Sequence, residues 1–393
     1  MIDERIIERE QKALMSNYKR QPVQFVRGEG AGLFDPDGRR YIDCVAGIST
    51  MNVGHSHPAV VAAVQEQAAR LIHVSNLYYT EPMIALAEWI RDNSMGGRVF
   101  FCNSGTEAVE AALKLCRKHG QGRPEVVALI DSFHGRTYGA LTLTGQPGKQ
   151  DAFRPLLPGV VHVDRQDMEG LQAAVGPQTA AVFMEIIQGE SGVHPTPPEM
   201  LRLARELCDR HGALLVFDEI QTGLARTGPT FAYQDLGIEP DVMTLAKSLG
   251  GGVPIGAITA RPGIDATFQP GDHGSTFAAG PLACAAGLAS TAVLGDPALQ
   301  AHVREEGARF LEGLQGLVRD GLATEARGRG LMCGLDLPQA RSADLVSAML
   351  ARGILVNATG PRTVRFLPPL VIGREDLDAV LAALRETIPQ LTA

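Results

Sequence analysis

Three clusters in this 393-residue chain have residue types and spacing that could do chemistry. The first is Ser104-Gly105-Thr106, between the apolar run RVFFCN and the alanine- and glutamate-rich segment TEAVEAALKL. A strand feeding a helix there leaves first-turn N–H groups free to hold an anion. The Ser104 and Thr106 hydroxyls add donors, and Gly105 lets the backbone approach closely. The same residues also read as an ordinary helix cap, with Glu107 or Glu110 in the first turns. The second cluster is Asp218-Glu219, closing the apolar run ALLVF. Acids at a strand end can hold a metal, a ribose or a protonated ring nitrogen, or can face solvent as a simple pair. The third is Lys247, which ends VMTLA and precedes Gly250, Gly251 and Gly252. Such a lysine is either solvated beside a flexible loop or desolvated and nucleophilic.

Two loops add further groups. In DSFHGRT, Phe133 could stack on a planar ring and Arg136 could fork onto a carboxylate; the plain alternative is a loop aromatic beside a surface arginine. HGSTF, residues 273–277, is a second hydroxyl- and glycine-rich loop within reach of a phosphate, or a simple turn before a helix. Neither GxxxxGK[ST] nor GxGxxG occurs at the first cluster, so a P-loop and a Rossmann dinucleotide site are poorly supported. No histidine cluster or Asp-x-Asp spacing flanks Asp218, and no metal is expected. An anion site, a strand-end acid and a strand-end lysine together supply the phosphate, ring-nitrogen and imine partners that pyridoxal phosphate requires.

The elements that must position these groups follow from the patterning. Residues 1–50 read as an N-terminal segment: a helix over roughly 3–15, then a hairpin in LFDPDGRRYIDCV turning at Asp37-Gly38. From 51 to 277, short continuous apolar runs alternate with amphipathic helices, the signature of a mostly parallel sheet covered on both faces. From 278 to 393 the rhythm changes to two consecutive helices, short strands and a final helix near 374–387, an α+β domain. The six cysteines are scattered without CxxC or Cys/His ligand spacing, which points to a reducing compartment and no structural zinc. A net charge of −8 with no dense basic patch speaks against nucleic acid. MIDERIIEREQKALM has no apolar core of a secretion signal, and the uncharged run Gly274–Gly295 is too rich in small residues for a membrane span.

NSGTEA, SFHGRT, QGE, FDEIQTG, TLAKSLGGG, HGSTF and VRFLPPL occur in this order over about residues 15–385. The set resembles the class III pyridoxal-phosphate aminotransferases of fold type I. The resemblance implies an α/β large domain with a mostly parallel seven-stranded sheet and a smaller α+β domain. By position it implies that Lys247 is the Schiff-base lysine and proton shuttle. Asp218 would pair with the pyridinium nitrogen, Gln221 would bond the ring's phenolic oxygen, and Phe133 would stack on the ring. Ser104, Gly105 and Thr106 would bind the phosphate, and Thr276 would reach the phosphate of a neighbouring subunit in a homodimer with shared active sites.

Within that family, SNLYYTEP, GLMCGLDL and RFLPPLVI resemble the acetylornithine/ornithine-type aminotransferases of amino-acid and arginine biosynthesis in the cytoplasm. There, Arg136 would bind a substrate carboxylate and Ser275 would contact substrate across the dimer interface. Glu190 and Arg365 would form a switch that admits an ω-amino donor such as N-acetylornithine and then 2-oxoglutarate. Alternatives on the same cofactor are a 4-aminobutyrate or ornithine aminotransferase, and a carrier-protein-linked enzyme of lysine biosynthesis, against which His134 weighs. A racemase or aminomutase is the alternative of a different class. Departures from the family pattern are Ile186, Ser191, Ala279-Gly280 and the placement of Asn52. They leave the cofactor positions intact and the amine donor open.

Overall fold

The structure is a computed structural model and describes residues 3–392. At its centre is a seven-stranded sheet. Across it the strands run Val99–Cys102, Gly256–Ala260, Val242–Leu245, Leu214–Asp218, Thr179–Met184, Glu125–Leu129 and Val160–Val163. Only Gly256–Ala260 runs antiparallel to its neighbours. The expected continuous apolar strands follow from burial on both faces: all five residues of Leu214–Asp218 and all six of Thr179–Met184 are buried. Alternation sends Leu215 and Phe217 to one hydrophobic core and Leu214 and Val216 to the other.

Helix Gly105–His119 packs on the second of these cores. Its inward stripe of Ala108, Ala111 and Ala112 has no side-chain bulk, so the helix lies close against the sheet. Helix Pro281–Leu294 is also rich in small residues and packs against helices Pro58–Arg70 and Glu81–Asn93. Among the described residues, no single helix is long and apolar enough to cross a membrane.

The N-terminal helix spans Glu4–Ala13, and the hairpin pairs Gly32–Phe34 with Arg40–Asp43 as the Asp37-Gly38 turn predicts. Arg40–Asp43 also pairs in parallel with Ile354–Leu355, more than 300 residues later in the chain. Helix Pro297–Arg319 and a second four-stranded sheet follow the large sheet, and the closing helix runs on to Arg374–Thr392. The buried Arg226 joins these parts. It donates to Ser49 and Asn52 of the N-terminal segment and to the carbonyls of Leu331 and Pro368. Asn52 in turn donates to Ser248 and the Leu224 carbonyl. All six cysteines are buried and unpaired with one another.

Candidate active site

Parallel strands place their carboxyl ends on one edge of the sheet, and ligands collect there. Residues following five of the central strands, at Cys102, Leu129, Met184, Asp218 and Leu245, converge on a cavity of about 410 Å³. Its wall includes Ser104, Gly105, Thr106, Phe133, Arg136, Glu190, Asp218, Gln221 and Lys247. Residues spread over 144 positions of the chain therefore meet in one chamber, and three more of the expected positions lie just outside its wall.

The phosphate end is built from a helix start. Ser104 is the N-cap of Gly105–His119, its hydroxyl accepting from the Glu107 N–H at 3.3 Å, while Glu107 accepts from Asn103 N–H at 2.6 Å. The cap and the anion site thus coexist: the first-turn N–H groups of Gly105 and Thr106 still lack helical acceptors. A Cβ on Gly105 would stand 2.9 Å from Ile220 Cδ1, so glycine is what keeps this approach open. Thr106 Oγ1 accepts from the Arg136 and Thr137 N–H groups, tying the Phe133–Thr137 loop to the helix start.

Asp218 closes its strand with its carboxylate held on both oxygens. Oδ1 accepts from Thr244 Oγ1 at 2.9 Å and from the Ile220 N–H at 3.1 Å. Oδ2 lies 2.7 Å from His134 Nδ1. Burial alone would lower His134, but the bond to Asp218 and its charge raise it above its ordinary value. The ring's Nε2 is buried without a partner. Burial pushes the neighbouring Glu185 up to about 7, against the pull of His134. Its carboxylate accepts from the Phe133 N–H at 2.9 Å and so fixes the aromatic ring's backbone.

Lys247 starts the short turn Lys247–Gly250, two residues beyond the end of its strand at Leu245, with φ at +50°. A lysine in the left-handed region costs on the order of 1–3 kcal/mol, strain typical of functional positions. Its ammonium makes no hydrogen bond to any described residue. Burial pushes it below its ordinary value, Glu190 pulling the other way and Arg365 adding to the fall. Gly251 and Gly252 adopt φ of +56° and +109°, a turn that side chains would strain.

Arg365 is fully buried beyond the cavity wall, on strand Thr363–Phe366. Its Nη1 donates to Glu190 Oε1 at 2.6 Å, to the Gly189 carbonyl at 2.9 Å and to Gln221 Oε1 at 3.2 Å; Nη2 has no hydrogen-bond partner among the described residues. Burial alone would raise Glu190, but Arg365 and Lys247 overcome it and hold the carboxyl at about 2. Ser275 also stands outside the wall, accepting from Asn103 Nδ2 at 2.8 Å, and Thr276 is exposed. Among the described residues no group of three or more metal-ligating side chains assembles.

His134 and Glu185 also line the chamber and were not among the expected site residues. Glu185 carries the same signal as Asp218, an acid directly after a wholly apolar strand. His134 follows Phe133 in the loop already singled out, but its contact to Asp218 spans 84 residues of sequence.

Pyridoxal phosphate fits this arrangement. An anion-ready helix start, a fixed carboxylate and a recessed unbonded lysine share one chamber, with an aromatic ring on its wall. The family model for aminotransferase class-III matches residues 14–388. Similar curated proteins include the acetylornithine aminotransferase of Gloeobacter violaceus, 50% identical over 385 residues and 96% of each chain. That of Methanocaldococcus jannaschii is 44% identical over the full length of both. Among solved structures, the ornithine aminotransferase from Toxoplasma gondii ME49 superposes with a TM-score of 0.95 at 33% identity, covering 99% of this chain and 95% of that one. The acetylornithine aminotransferase from Elizabethkingia anophelis gives 0.89 at 34% identity, covering 98% and 99%. The chain belongs to the class-III aminotransferases and is a pyridoxal-phosphate-dependent enzyme.

Proposed function

We propose that this enzyme moves the terminal amino group of N-acetylornithine to 2-oxoglutarate, giving a semialdehyde and glutamate. The observation that carries this reading is the pair of half-buried Glu190 and fully buried Arg365, bordering a cavity that Arg136 also lines. The arrangement gives two carboxylate sites, one open and one covered. A monocarboxylate donor uses Arg136 while Glu190 covers Arg365; a dicarboxylate acceptor needs both arginines, so Glu190 must swing away. The acetylornithine aminotransferases among its relatives support the choice of donor.

When bound, the cofactor supplies an aldehyde carbon that takes the amino group and a ring that withdraws electrons as the substrate carbon loses its proton. The chain's own groups do the rest. Lys247 Nζ would hold the cofactor and would carry the proton away from the substrate carbon and return it. Its lowered basicity and lack of a hydrogen bond suit both roles. Asp218, oriented by Thr244 and His134, offers a charged acceptor to the ring nitrogen. Gln221, which donates to Glu190 and accepts from Arg365, would bond the ring oxygen. Gly105 and Thr106, with the Ser104 cap, would hold the phosphate, and Phe133 would cover one ring face.

We further infer a homodimer that completes the phosphate site through Thr276 and brings Ser275 to the substrate. Thr276 is exposed beside Phe277, 66% exposed, whose ring lies 5.1 Å from His73. Leu77 and Tyr79 nearby in sequence are 80% and 92% exposed, an apolar surface that a second copy would cover. Six unpaired cysteines support a cytoplasmic setting.

The test is kcat/KM for N-acetylornithine, ornithine, 4-aminobutyrate and a carrier-linked donor, each with 2-oxoglutarate. N-acetylornithine should lead by at least about tenfold, a difference one well-placed polar group can supply. A lead by any other donor overturns the assignment, and turnover without a keto acid points instead to a racemase.

A further inference from the structure

Two cations lie near the ring of Phe133, which is on the cavity wall. Arg136 Cζ is 5.7 Å from its ring centroid and Lys149 Nζ is 5.8 Å from it. Neither cation pairs with a carboxylate of a described residue. Lys149 donates to Gln146 Oε1, a neutral acceptor. Gln146 is itself anchored, its Nε2 donating to the carbonyls of Asp131 at 3.2 Å and Ser132 at 3.1 Å. The lysine is thus bracketed in place one layer behind the wall. Burial and the Arg136 charge push its ammonium below its ordinary value, while Glu190 and Asp131 pull the other way. Its charge is therefore felt by Arg136 and by Glu190, both on the cavity wall. Glu190, the acid of the chamber that pulls on Lys149, is already committed to Arg365.

Near one ring stand two cations that no carboxylate of a described residue pairs with, and a substrate carboxylate on Arg136 neutralises only one of them. The remaining charge faces whatever the substrate carries next to that carboxylate. In a free diamino acid the neighbour is an α-ammonium, a like charge in a site of reduced dielectric. In an N-acylated donor it is a neutral amide. We propose that Lys149 is a specificity-determining residue that repels donors bearing a free α-ammonium and so selects N-acylated ones. This is discrimination by an unfavourable contact with the wrong substrate rather than a better fit to the right one. The carboxylate is common to both donors, so its attraction to Lys149 cancels in their ratio and leaves the ammonium term alone.

The inference rests on the N-acetylornithine reading, and the experiment separates the two. The ratio of kcat/KM for N-acetylornithine over ornithine is measured in wild type, Lys149→Met and Lys149→Arg, at low and at raised salt. A unit charge one side-chain layer from a second one in a partly screened site implies a change of several-fold to about tenfold. Lys149→Met should lower the ratio by about that factor, chiefly by raising turnover of ornithine. Lys149→Arg should keep it, and raised salt should shrink the wild-type ratio more than the methionine variant's. An unchanged ratio in Lys149→Met, or an equal loss on both donors, overturns the inference while the donor assignment stands. A wild type that does not use N-acetylornithine overturns both.

Discussion

At the scale of single residues, Glu190 is the most informative group. Its carboxylate is held at about 2 because Arg365 and Lys247 overcome the cost of burial. Removing it leaves Arg365, fully buried, without its counter-charge, so Glu190→Gln should favour substrates that bring a carboxylate to that arginine. We expect kcat/KM for N-acetylornithine to fall roughly tenfold or more, while glutamate as donor loses little or gains, since breaking a buried pair leaves the partner seeking an anion. Equal losses on both substrates would remove the switch from the account. Glu185 makes a different prediction. Its folded value of about 7 lies above the ordinary 4.5, so between these values the folded chain keeps a proton that the unfolded chain releases. Stability then falls as pH rises through this window and the cost is complete above it. Glu185→Gln carries no such proton. Its stability relative to wild type should improve by on the order of 2 kcal/mol from pH ~5 to pH ~8, read from denaturant midpoints. A difference independent of pH would show that Glu185 is not titrating there. Lys247, Asp218 and Ser104–Thr106 were legible in sequence because each sits at the end of an apolar run. Glu185 ends the apolar run AAVFM in the same way, whereas His134 was less legible because its contact with Asp218 spans 84 residues that no local pattern links. Arg365 was legible only through family resemblance: a charge in the buried strand TVRF has no periodic signature of function.

At the scale of elements, the site is a product of strand direction. A parallel sheet puts every strand's carboxyl end on one edge, so three motifs far apart in sequence had to meet once the strands were read as parallel. What could not be read was the strained backbone. Ala46, Gly47, Ile48 and Ser49 form a left-handed turn with φ from 49° to 65°, and only Gly47 hints at it. Such turns are stabilised by distant partners, here Arg226 donating to Ser49 and Asn52, not by local propensity. The Phe133–Thr137 loop depends similarly on Gly135, at φ +133°, where a Cβ would stand 2.3 Å from Thr106 Oγ1. Gly135→Ala should displace Thr106 and weaken cofactor retention by roughly tenfold or more, while the fold persists. The check is the visible absorbance of bound cofactor after dialysis, alongside the far-ultraviolet spectrum. Full retention would show that this loop does not support the phosphate end.

At the scale of the whole molecule, the chamber lies where the large sheet, the N-terminal segment and the C-terminal strands meet, and Arg226 ties all three. The surface around Thr276 and Phe277 predicts a dimer in solution, and Thr276→Ala should lower cofactor affinity by several-fold without changing the dimer, as loss of one hydrogen bond to a phosphate would. Sedimentation combined with cofactor titration distinguishes this from a monomer in which the substitution is silent. The central claim is that one chamber receives an amino group from one substrate and passes it to another. A single-turnover experiment tests it most directly: enzyme with bound cofactor is mixed with N-acetylornithine and no keto acid, and 2-oxoglutarate is added afterwards. We predict that the visible absorbance is lost with one semialdehyde formed per site, and that 2-oxoglutarate restores it with one glutamate. Lys247→Ala should slow both phases by roughly 10³-fold or more. Continued turnover of the donor without 2-oxoglutarate, or no absorbance change on adding N-acetylornithine, would contradict the account.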